Sequence, residues 1–164
     1  MMTIAVALCA AAPAAQAADP VGAAVTAANN YRARHHVPPL RLDPSVSRVA
    51  QDWAAQLQSR GGLQHRPDTQ YGENLFWGSS GSESVERVAR LAVDSWYGEG
   101  RGYNYAQDYT GSNGALHFTA LVWKSSTRVG VGISQGRNGT YVVVNFAPAG
   151  NVVGEFRANV LPPR

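Results

Sequence analysis

Two segments rich in β-branched residues flank an Asn-Gly pair near the C-terminal end, and they constrain the fold most strongly. Residues 129–134 alternate valine and isoleucine with smaller residues, and residues 141–146 read Tyr-Val-Val-Val-Asn-Phe. The Asn138-Gly139 pair between them is the strongest short-range signal for a β-hairpin. The sequence therefore predicts two antiparallel strands whose apolar face needs a covering layer.

Two amphipathic helices are predicted upstream of the hairpin. Asp19-Pro20 and Asp43-Pro44 each combine a capping carboxylate with a proline at the first helical position. The second helix has apolar residues at i, i+3, i+4 and i+7, and Gly61-Gly62 ends it. Its apolar face consists of Val46, Val49, Ala50, Trp53, Ala54 and Leu57.

A third helix follows a Gly- and Ser-rich turn, where Ser80 and Glu83 fit a capping box. The apolar face of this helix consists of Val85, Val88, Ala89, Ala92 and Trp96. Three residues further along the same face lies Glu99. If the last turn persists to Gly100, the helical period places this carboxylate on the buried stripe; if the end frays, it is solvated.

Three helices and an antiparallel hairpin predict an α+β layered domain rather than a doubly wound sheet. Residues 37–40 are expected to be extended, and residues 101–116 to form a surface loop. The chain has 164 residues, of which 45% are hydrophobic, enough for one domain with a sizeable core. We assign residues 18–164 to that domain.

The first seventeen residues are apolar, rich in alanine and end in Ala15-Gln16-Ala17. This pattern predicts a secretory signal peptide spanning residues 1–17 and an extracellular mature protein. The apolar run is shorter than the ~20 residues that a transmembrane helix needs, so no membrane span is expected. Cys9 is the only cysteine, so the mature chain is expected to be free of disulfides.

The net charge of +3 comes mainly from scattered arginines. No basic run is interleaved with aromatic residues, which argues against nucleic-acid binding. Mild attraction to anionic cell-wall polymers or lipid headgroups is compatible with this charge.

Two histidines and two glutamates stand in aromatic-rich segments: His65, Glu73, Glu99 and His117. Imidazole and carboxylate groups can hold a divalent metal such as zinc, shuttle protons in a hydrolase, or form a structural hydrogen-bond network. The residues alone leave these three uses open. His35 and His36 follow the first helix and are expected to face solvent near its C-terminal dipole.

Further motifs accompany these four residues, and together they resemble the CAP superfamily (cysteine-rich secretory proteins, antigen 5 and class 1 plant pathogenesis-related proteins). The resemblance runs from about residue 24 to 156 and is strongest to the plant type. The matching residues are Asn29, Arg32, 37–40, 63–65, 71–78, Trp96, Glu99, 117–119, Val122, Trp123, Asn145, Phe146, Pro148, Gly150 and Asn151.

The resemblance implies an α-β-α sandwich with a central antiparallel sheet. It also implies a shallow cleft in which His65, Glu73, Glu99 and His117 form a tetrad able to bind zinc or another divalent cation. Positions that hold cysteines in the plant type carry Gly61, Ala115, Val131 and Val144 here.

Two functions are considered: the resemblance supports the first, and the chemistry of the tetrad allows the second. The first is a secreted protein that binds a sterol, a fatty acid or an envelope partner. The second is a metal-dependent peptidase or esterase in which Glu73 or Glu99 acts as the base. The chain has no Gly-x-Ser-x-Gly motif, and its only cysteine lies in the leader, which favours binding over catalysis.

Overall fold

The computed structural model describes residues 18–79, 81, 83–108 and 115–164, so the predicted leader lies outside the described residues. The elements in chain order are α1 (Pro20–Arg34), β1 (Arg41–Leu42), α2 (Pro44–Arg60), β2 (Gly72–Gly78), α3 (Val85–Gly98), α4 (Leu116–Val122), β3 (Arg128–Gly136), β4 (Gly139–Ala147) and α5 (Phe156–Asn159). Among the described residues, no helix is both long enough and apolar enough to cross a membrane.

The sheet has four strands in the order β1-β3-β4-β2. The predicted hairpin is confirmed: β3 and β4 pair in antiparallel register, and β2 pairs antiparallel to the other edge of β4. Gly136 pairs with Gly139, so the two loop residues are Arg137 and Asn138, one position earlier than the Asn-Gly signal indicates. The two-residue β1 adds a parallel pair with β3.

Helices cover both faces of this sheet, which confirms the three-layer α-β-α sandwich. On one face, α2 packs on Leu75, Tyr141 and Val143. On the opposite face, residues of α1, α3 and α4 pack on the remaining inward side chains, including Val142 and Val144. Neighbouring residues of β4 therefore point into different cores, as the two-residue period of a strand requires.

Close contact between α2 and β3 depends on glycine. A Cβ atom at Gly130 would lie 2.2 Å from the carbonyl carbon of Val46, and one at Gly132 would lie 2.2 Å from that of Ala50. The side chain of Gln51 then bonds both the N–H and the C=O of Ile133. The helix thus covers strand edge groups that would otherwise be unpaired.

The capping signals of the first two helices are confirmed. Asp19 accepts a hydrogen bond from the Gly22 N–H, and Asp43 accepts from Ser45 and Val46. The third helix begins later than predicted, because Ser84 caps it at Val85. Ser80, the cap expected from the sequence, lies outside the described residues.

Arg32 is fully buried and fixes α1 against the segment that contains α4. Its guanidinium donates to the carbonyl oxygens of Pro38, Leu121, Trp123 and Ser126 at 2.8–2.9 Å. Burial lowers the pKa of Arg32 to about 10. Because these acceptors surround the C-terminal end of α4, they also set the position of that helix.

The expectation that His35 faces solvent is wrong. This side chain is fully buried, and its ring nitrogens bond the carbonyl oxygen of Leu161 and the hydroxyl of Tyr97. Chain segments far away in sequence enclose it, whereas His36 is exposed as expected.

Candidate functional site

The first half of the site joins the loop after α2 to strand β2. The Nδ1 atom of His65 lies 2.8 Å from Oε1 of Glu73, and the backbone N–H of Arg66 donates to the same oxygen at 3.0 Å. The side chain of His65 is 64% exposed, whereas that of Glu73 is 3% exposed. We call His65 and Glu73 the strand-side pair, because the sheet supplies the carboxylate.

The second half joins the end of α3 to the start of α4. Glu99 follows the last residue of α3 with helical backbone angles, and its Oε1 lies 2.8 Å from Nδ1 of His117. The imidazole of His117 stacks on Trp96, with ring centroids 6.2 Å apart. We call Glu99 and His117 the helix-side pair. Glu99 therefore points toward His117, on the side that the helical period indicated, but α3 ends at Gly98 and the Glu99 side chain is 30% exposed rather than buried.

Both histidines line one surface cavity of about 280 Å³. The cavity is lined by His65, Thr69, Tyr71, Glu73, Asn74, Leu116, His117 and Asn151. Asn74 and Asn151 hold the start of α4 by donating to the carbonyl oxygens of His117 and Leu116, each at 2.9 Å. Glu99 is not part of the lining and reaches the cavity only through His117.

The hydrogen bonds define the donor and the acceptor in each pair. An ionised carboxylate can only accept a hydrogen bond, so Nδ1 of each imidazole donates to it, and in the neutral imidazole the lone pair lies on Nε2. No hydrogen bond within the described part of the chain engages Nε2 of either histidine. The second oxygens of both glutamates, Glu73 Oε2 and Glu99 Oε2, are buried and have no hydrogen-bond partner among the described residues.

This donor set suits a divalent metal held by imidazole nitrogen. Metal-binding histidines commonly donate their other ring N–H to a carboxylate, which fixes the tautomer and increases the basicity of the ligand. The two His–Glu pairs match that pattern. Among the described residues, however, no three side chains of His, Cys, Asp or Glu lie close enough together to hold one metal ion. The tetrad is thus arranged as two pairs rather than as a cage of four ligands.

The sequence predicts all four residues of the two pairs but not the residues that support them. Asn74 and Asn151 lie within the motifs that carry the resemblance, yet only the tertiary contacts reveal what they bond. Glu73 lies in β2, a strand that the sequence did not predict, opposite Asn145 of β4. The β-strand was not recognised because its seven residues mix glycine, glutamate, asparagine and aromatic residues without regular alternation.

Comparison with known proteins identifies the family. The sequence profile of the cysteine-rich secretory protein family, abbreviated CAP, matches residues 25–146. The chain belongs to the CAP family. It is 41% identical over 143 residues to human Golgi-associated plant pathogenesis-related protein 1, covering 83% of this chain and 88% of that protein.

A second relative is the Secreted protein RBT4 of Candida albicans, 39% identical over 129 residues. The match covers 77% of this chain but only 34% of that protein. Relatives of this CAP domain thus include a secreted protein and a Golgi-associated one.

Solved structures confirm the CAP fold. The crystal structure of NaASP2 with Zn2+ superposes with a TM-score of 0.75, covering 94% of this chain and 91% of that one. The two sequences are 21% identical, so the likeness concerns the fold alone, and the zinc is a property of NaASP2.

Proposed function

We propose that this chain is a secreted CAP domain that binds a small apolar or amphipathic molecule, such as a sterol or a fatty acid. The observation that carries the proposal is a second surface cavity with a volume of about 450 Å³. It is lined by Gly61, Gly62, Leu63, Trp77, Asn138 and Tyr141. Its volume falls within the range of ligand sites of proteins.

The side chains of this cavity support an apolar ligand. Trp77 is 46% exposed and Leu63 is 52% exposed, whereas the other three tryptophans are at most 3% exposed. The indole N–H of Trp77 donates to the carbonyl oxygen of Asn138, and the hydroxyl of Tyr141 accepts from the Gly62 N–H. Because these polar atoms already have partners, the cavity offers a ligand mainly carbon surface.

Titration of the mature protein with cholesterol and with oleate, followed by tryptophan fluorescence, tests this proposal. Trp77 is the accessible indole, so a bound ligand should change the emission and protect it from a soluble quencher. Trp77→Ala should remove the fluorescence response, and Leu63→Ala should weaken ligand binding measured by a radiolabelled-lipid assay. Leu42→Ala, an exposed apolar side chain outside the cavity, is the matched control.

Full lipid binding by both Trp77→Ala and Leu63→Ala would exclude this cavity as the site. If neither lipid binds the unaltered protein, an envelope polymer becomes the better candidate for the ligand. Secretion has a separate test: N-terminal sequencing of the exported protein should give a start near Ala18.

A divalent metal, with zinc as the first candidate, is the second ligand we propose. The specific observation is that His65 and His117 face one cavity with their Nε2 lone pairs uncommitted. We propose these two nitrogens as the metal ligands, with Glu73 and Glu99 orienting them from behind; a bound metal would supply a local positive charge and a Lewis acid. The direct four-residue ligation implied by the family resemblance stays an alternative, which glutamate variants test.

Calorimetric titration with zinc tests the metal site. His65→Ala and His117→Ala should each lower the affinity by at least about 100-fold, because each removes a ligand. His36→Ala, an exposed histidine outside the cavity, should bind zinc like the unaltered protein. Binding should weaken on acidification, since protons compete for the same lone pairs, and a chelator should lower the melting temperature of the zinc-loaded protein.

The hydrolase alternative has less support from the geometry. A general base must reach a proton of the substrate or of the attacking water. Glu73 and Glu99 each use Oε1 to bond an imidazole, and their Oε2 atoms are buried. Turnover of a generic peptide or ester by the zinc-loaded protein, lost in Glu73→Gln or Glu99→Gln, would nevertheless favour a hydrolase.

A further inference from the structure

The buried amide of Asn145 lies directly behind the strand-side pair. Asn145 is completely buried in β4, the central strand between β3 and β2. Neither its Nδ2 nor its Oδ1 atom has a hydrogen-bond partner in the described part of the chain. A buried amide without partners is unfavourable, because it loses its hydrogen bonds to water and gains none in return. Such a group in a native core calls for a physical explanation.

The sheet register supplies the neighbour. Asn145 is paired with Glu73 across the antiparallel strands β2 and β4, and directly paired side chains lie on the same face, with Cβ atoms about 4.5–5.5 Å apart. Glu73 also has an oxygen, Oε2, that is buried without a partner. An amide N–H is a donor and a carboxylate oxygen an acceptor, so these two groups are chemically complementary.

Helix α2 seals this pair from solvent. Tyr141 and Val143, which precede Asn145 on the same face of β4, pack against α2. Gly130, the residue paired with Asn145 on the other side, contacts the backbone of Val46 so closely that no side chain fits. The amide therefore faces the buried side of Glu73, while the opposite carboxylate oxygen faces His65.

We propose that Asn145 is a positioning residue of the cleft. The two atoms are not bonded directly in the structure, so the Nδ2–H of Asn145 reaches Glu73 Oε2 through one internal water molecule and thereby fixes the carboxylate whose Oε1 holds the Nδ1–H of His65. The resulting chain runs from a buried amide through a buried carboxylate to an exposed imidazole. In the neutral imidazole of His65 this arrangement favours the tautomer whose Nε2 lone pair points toward the cavity. The consequence for metal affinity rests on the proposed function, whereas the consequence for the tautomer of His65 does not.

The helix-side pair provides an internal control. Glu99 bonds His117 with the same 2.8 Å distance, but it lies at the end of α3 and has no register partner in the sheet. Loss of the Asn145 amide should therefore affect His65 and leave His117 unchanged. General loosening of the fold would affect both histidines.

Nitrogen-15 NMR of the metal-free protein above neutral pH measures the tautomer of each histidine. In the unaltered protein, His65 and His117 should both be mainly Nδ1–H. In Asn145→Leu, which has a similar shape and no polar side-chain atoms, His65 should shift mainly to Nε2–H while His117 stays as it was. Val143→Ala, a buried change on the same face of β4, should leave both tautomers unchanged.

A second measurement needs no variant of Asn145. One side-chain amide proton of Asn145 should resonate downfield and exchange slowly, and both properties should be lost in Glu73→Ala. The proposal is overturned if both amide protons resemble unbonded ones and do not respond to Glu73→Ala. It is also overturned if His65 keeps its Nδ1–H tautomer in a folded Asn145→Leu variant.

Zinc titration of the same variants separates the two hypotheses. If the metal site exists, Asn145→Leu should bind zinc roughly tenfold more weakly, the lower end of the effect expected for a residue behind a ligand. If the unaltered protein binds no zinc, the metal proposal fails, and the tautomer experiment still decides the role of Asn145.

Discussion

The two His–Glu pairs of the cleft share a 2.8 Å hydrogen bond between Nδ1 and a carboxylate oxygen, but they bury different members. In the strand-side pair the glutamate is 3% exposed and the histidine 64% exposed. In the helix-side pair the corresponding values are 30% and 36%. The same hydrogen bond therefore joins a buried carboxylate to an exposed imidazole in the strand-side pair. In the helix-side pair it joins two side chains that are each about one-third exposed.

The difference follows from the elements that carry the glutamates. Glu73 lies within a strand paired along its whole length with β4, so its backbone is fixed and its carboxylate also accepts the N–H of Arg66. Glu99 follows the last turn of α3, where helices fray most readily. His117 compensates for this by stacking on Trp96 and by belonging to α4. His65 depends on its glutamate, whereas His117 has other supports.

The largest expected effect that tests this comparison concerns the two carboxylates. Glu73→Gln should reduce zinc affinity by about 10–100-fold, the range for groups that orient metal-binding histidines. Glu99→Gln should reduce it less, because the stack on Trp96 still orients His117. Calorimetric titration of the two variants under identical conditions measures the difference.

Two outcomes would contradict this view of the cleft. Equal losses of zinc affinity in the two variants would show that burial of the carboxylate does not determine how strongly it orients its histidine. If Glu99→Gln leaves zinc binding and its pH dependence unaltered while Glu73→Gln removes both, α3 does not deliver a functional carboxylate to the cleft, and a four-residue site is wrong.

A smaller effect is expected from loosening α2 over the strand-side pair. Gly130→Ala would place a methyl group 2.2 Å from the carbonyl carbon of Val46, so helix and sheet must move apart. Overpacking of this kind typically lowers the free energy of unfolding by about 1–3 kcal/mol. Urea unfolding gives the change in free energy, and NMR shows whether the signals of His65 shift more than those of His117.

Gly98→Ala is the matched control for this prediction. Apart from its chain neighbours and the backbone of its own helix, no described atom lies within 4 Å of a Cβ built at Gly98, the last residue of α3. Alanine is favoured over glycine within a helix by about 0.5–1 kcal/mol, so this variant should be neutral or slightly more stable. Equal destabilisation by both substitutions would show that the close approach of α2 is not the cause.

Local signals account for the parts of the molecule that the sequence predicted correctly. The Asp-Pro pairs located α1 and α2, the Asn-Gly signal located the hairpin, and the period of α3 indicated the side of the helix on which Glu99 lies. Each of these depends on residues within about two helical turns or one hairpin. To predict the helix-side pair, only one contact between distant segments was required, that of Glu99 with His117. The family resemblance implied this contact.

Contacts between distant segments account for what the sequence did not reveal. The seven-residue helix α4 was not predicted. Only its first residue lies within the loop expected over residues 101–116, five of its residues are buried, and Ala115, which precedes it, makes no side-chain cap. The strand β2 is specified by its register with β4 rather than by its own composition. The two-residue β1 is too short to give any periodic signal. None of these features is visible in a window of neighbouring residues.

The last and smallest predicted effect concerns His35, which lies behind the helix-side pair. Its ring packs edge-on against that of Phe118, with the ring centroids 5.5 Å apart. Burial lowers the pKa of His35 below its ordinary value of 6.5, and the nearby charges of His36 and Arg34 act in the same direction, while the hydrogen bond to Leu161 opposes it. The unfolded chain therefore takes up a proton at a higher pH than the folded protein does. The free energy of unfolding should be unaffected by this group above pH 6.5 and should fall as the pH drops from there through the folded-state pKa.

Urea unfolding between pH 8 and pH 5 measures this slope, which for a single proton is at most about 1.4 kcal/mol per pH unit. His35→Gln should flatten the dependence just below pH 6.5, even if it lowers stability at every pH, whereas His36→Gln should leave the slope as it is. The ring of His35 bonds Tyr97 of α3 and the carbonyl oxygen of Leu161. Its protonation should therefore first loosen the packing around α3, the helix that leads to Glu99 of the helix-side pair. An acid-induced change that appears first in the NMR signals of His65 would reverse the comparison between the two halves and assign the weaker support to the strand-side pair.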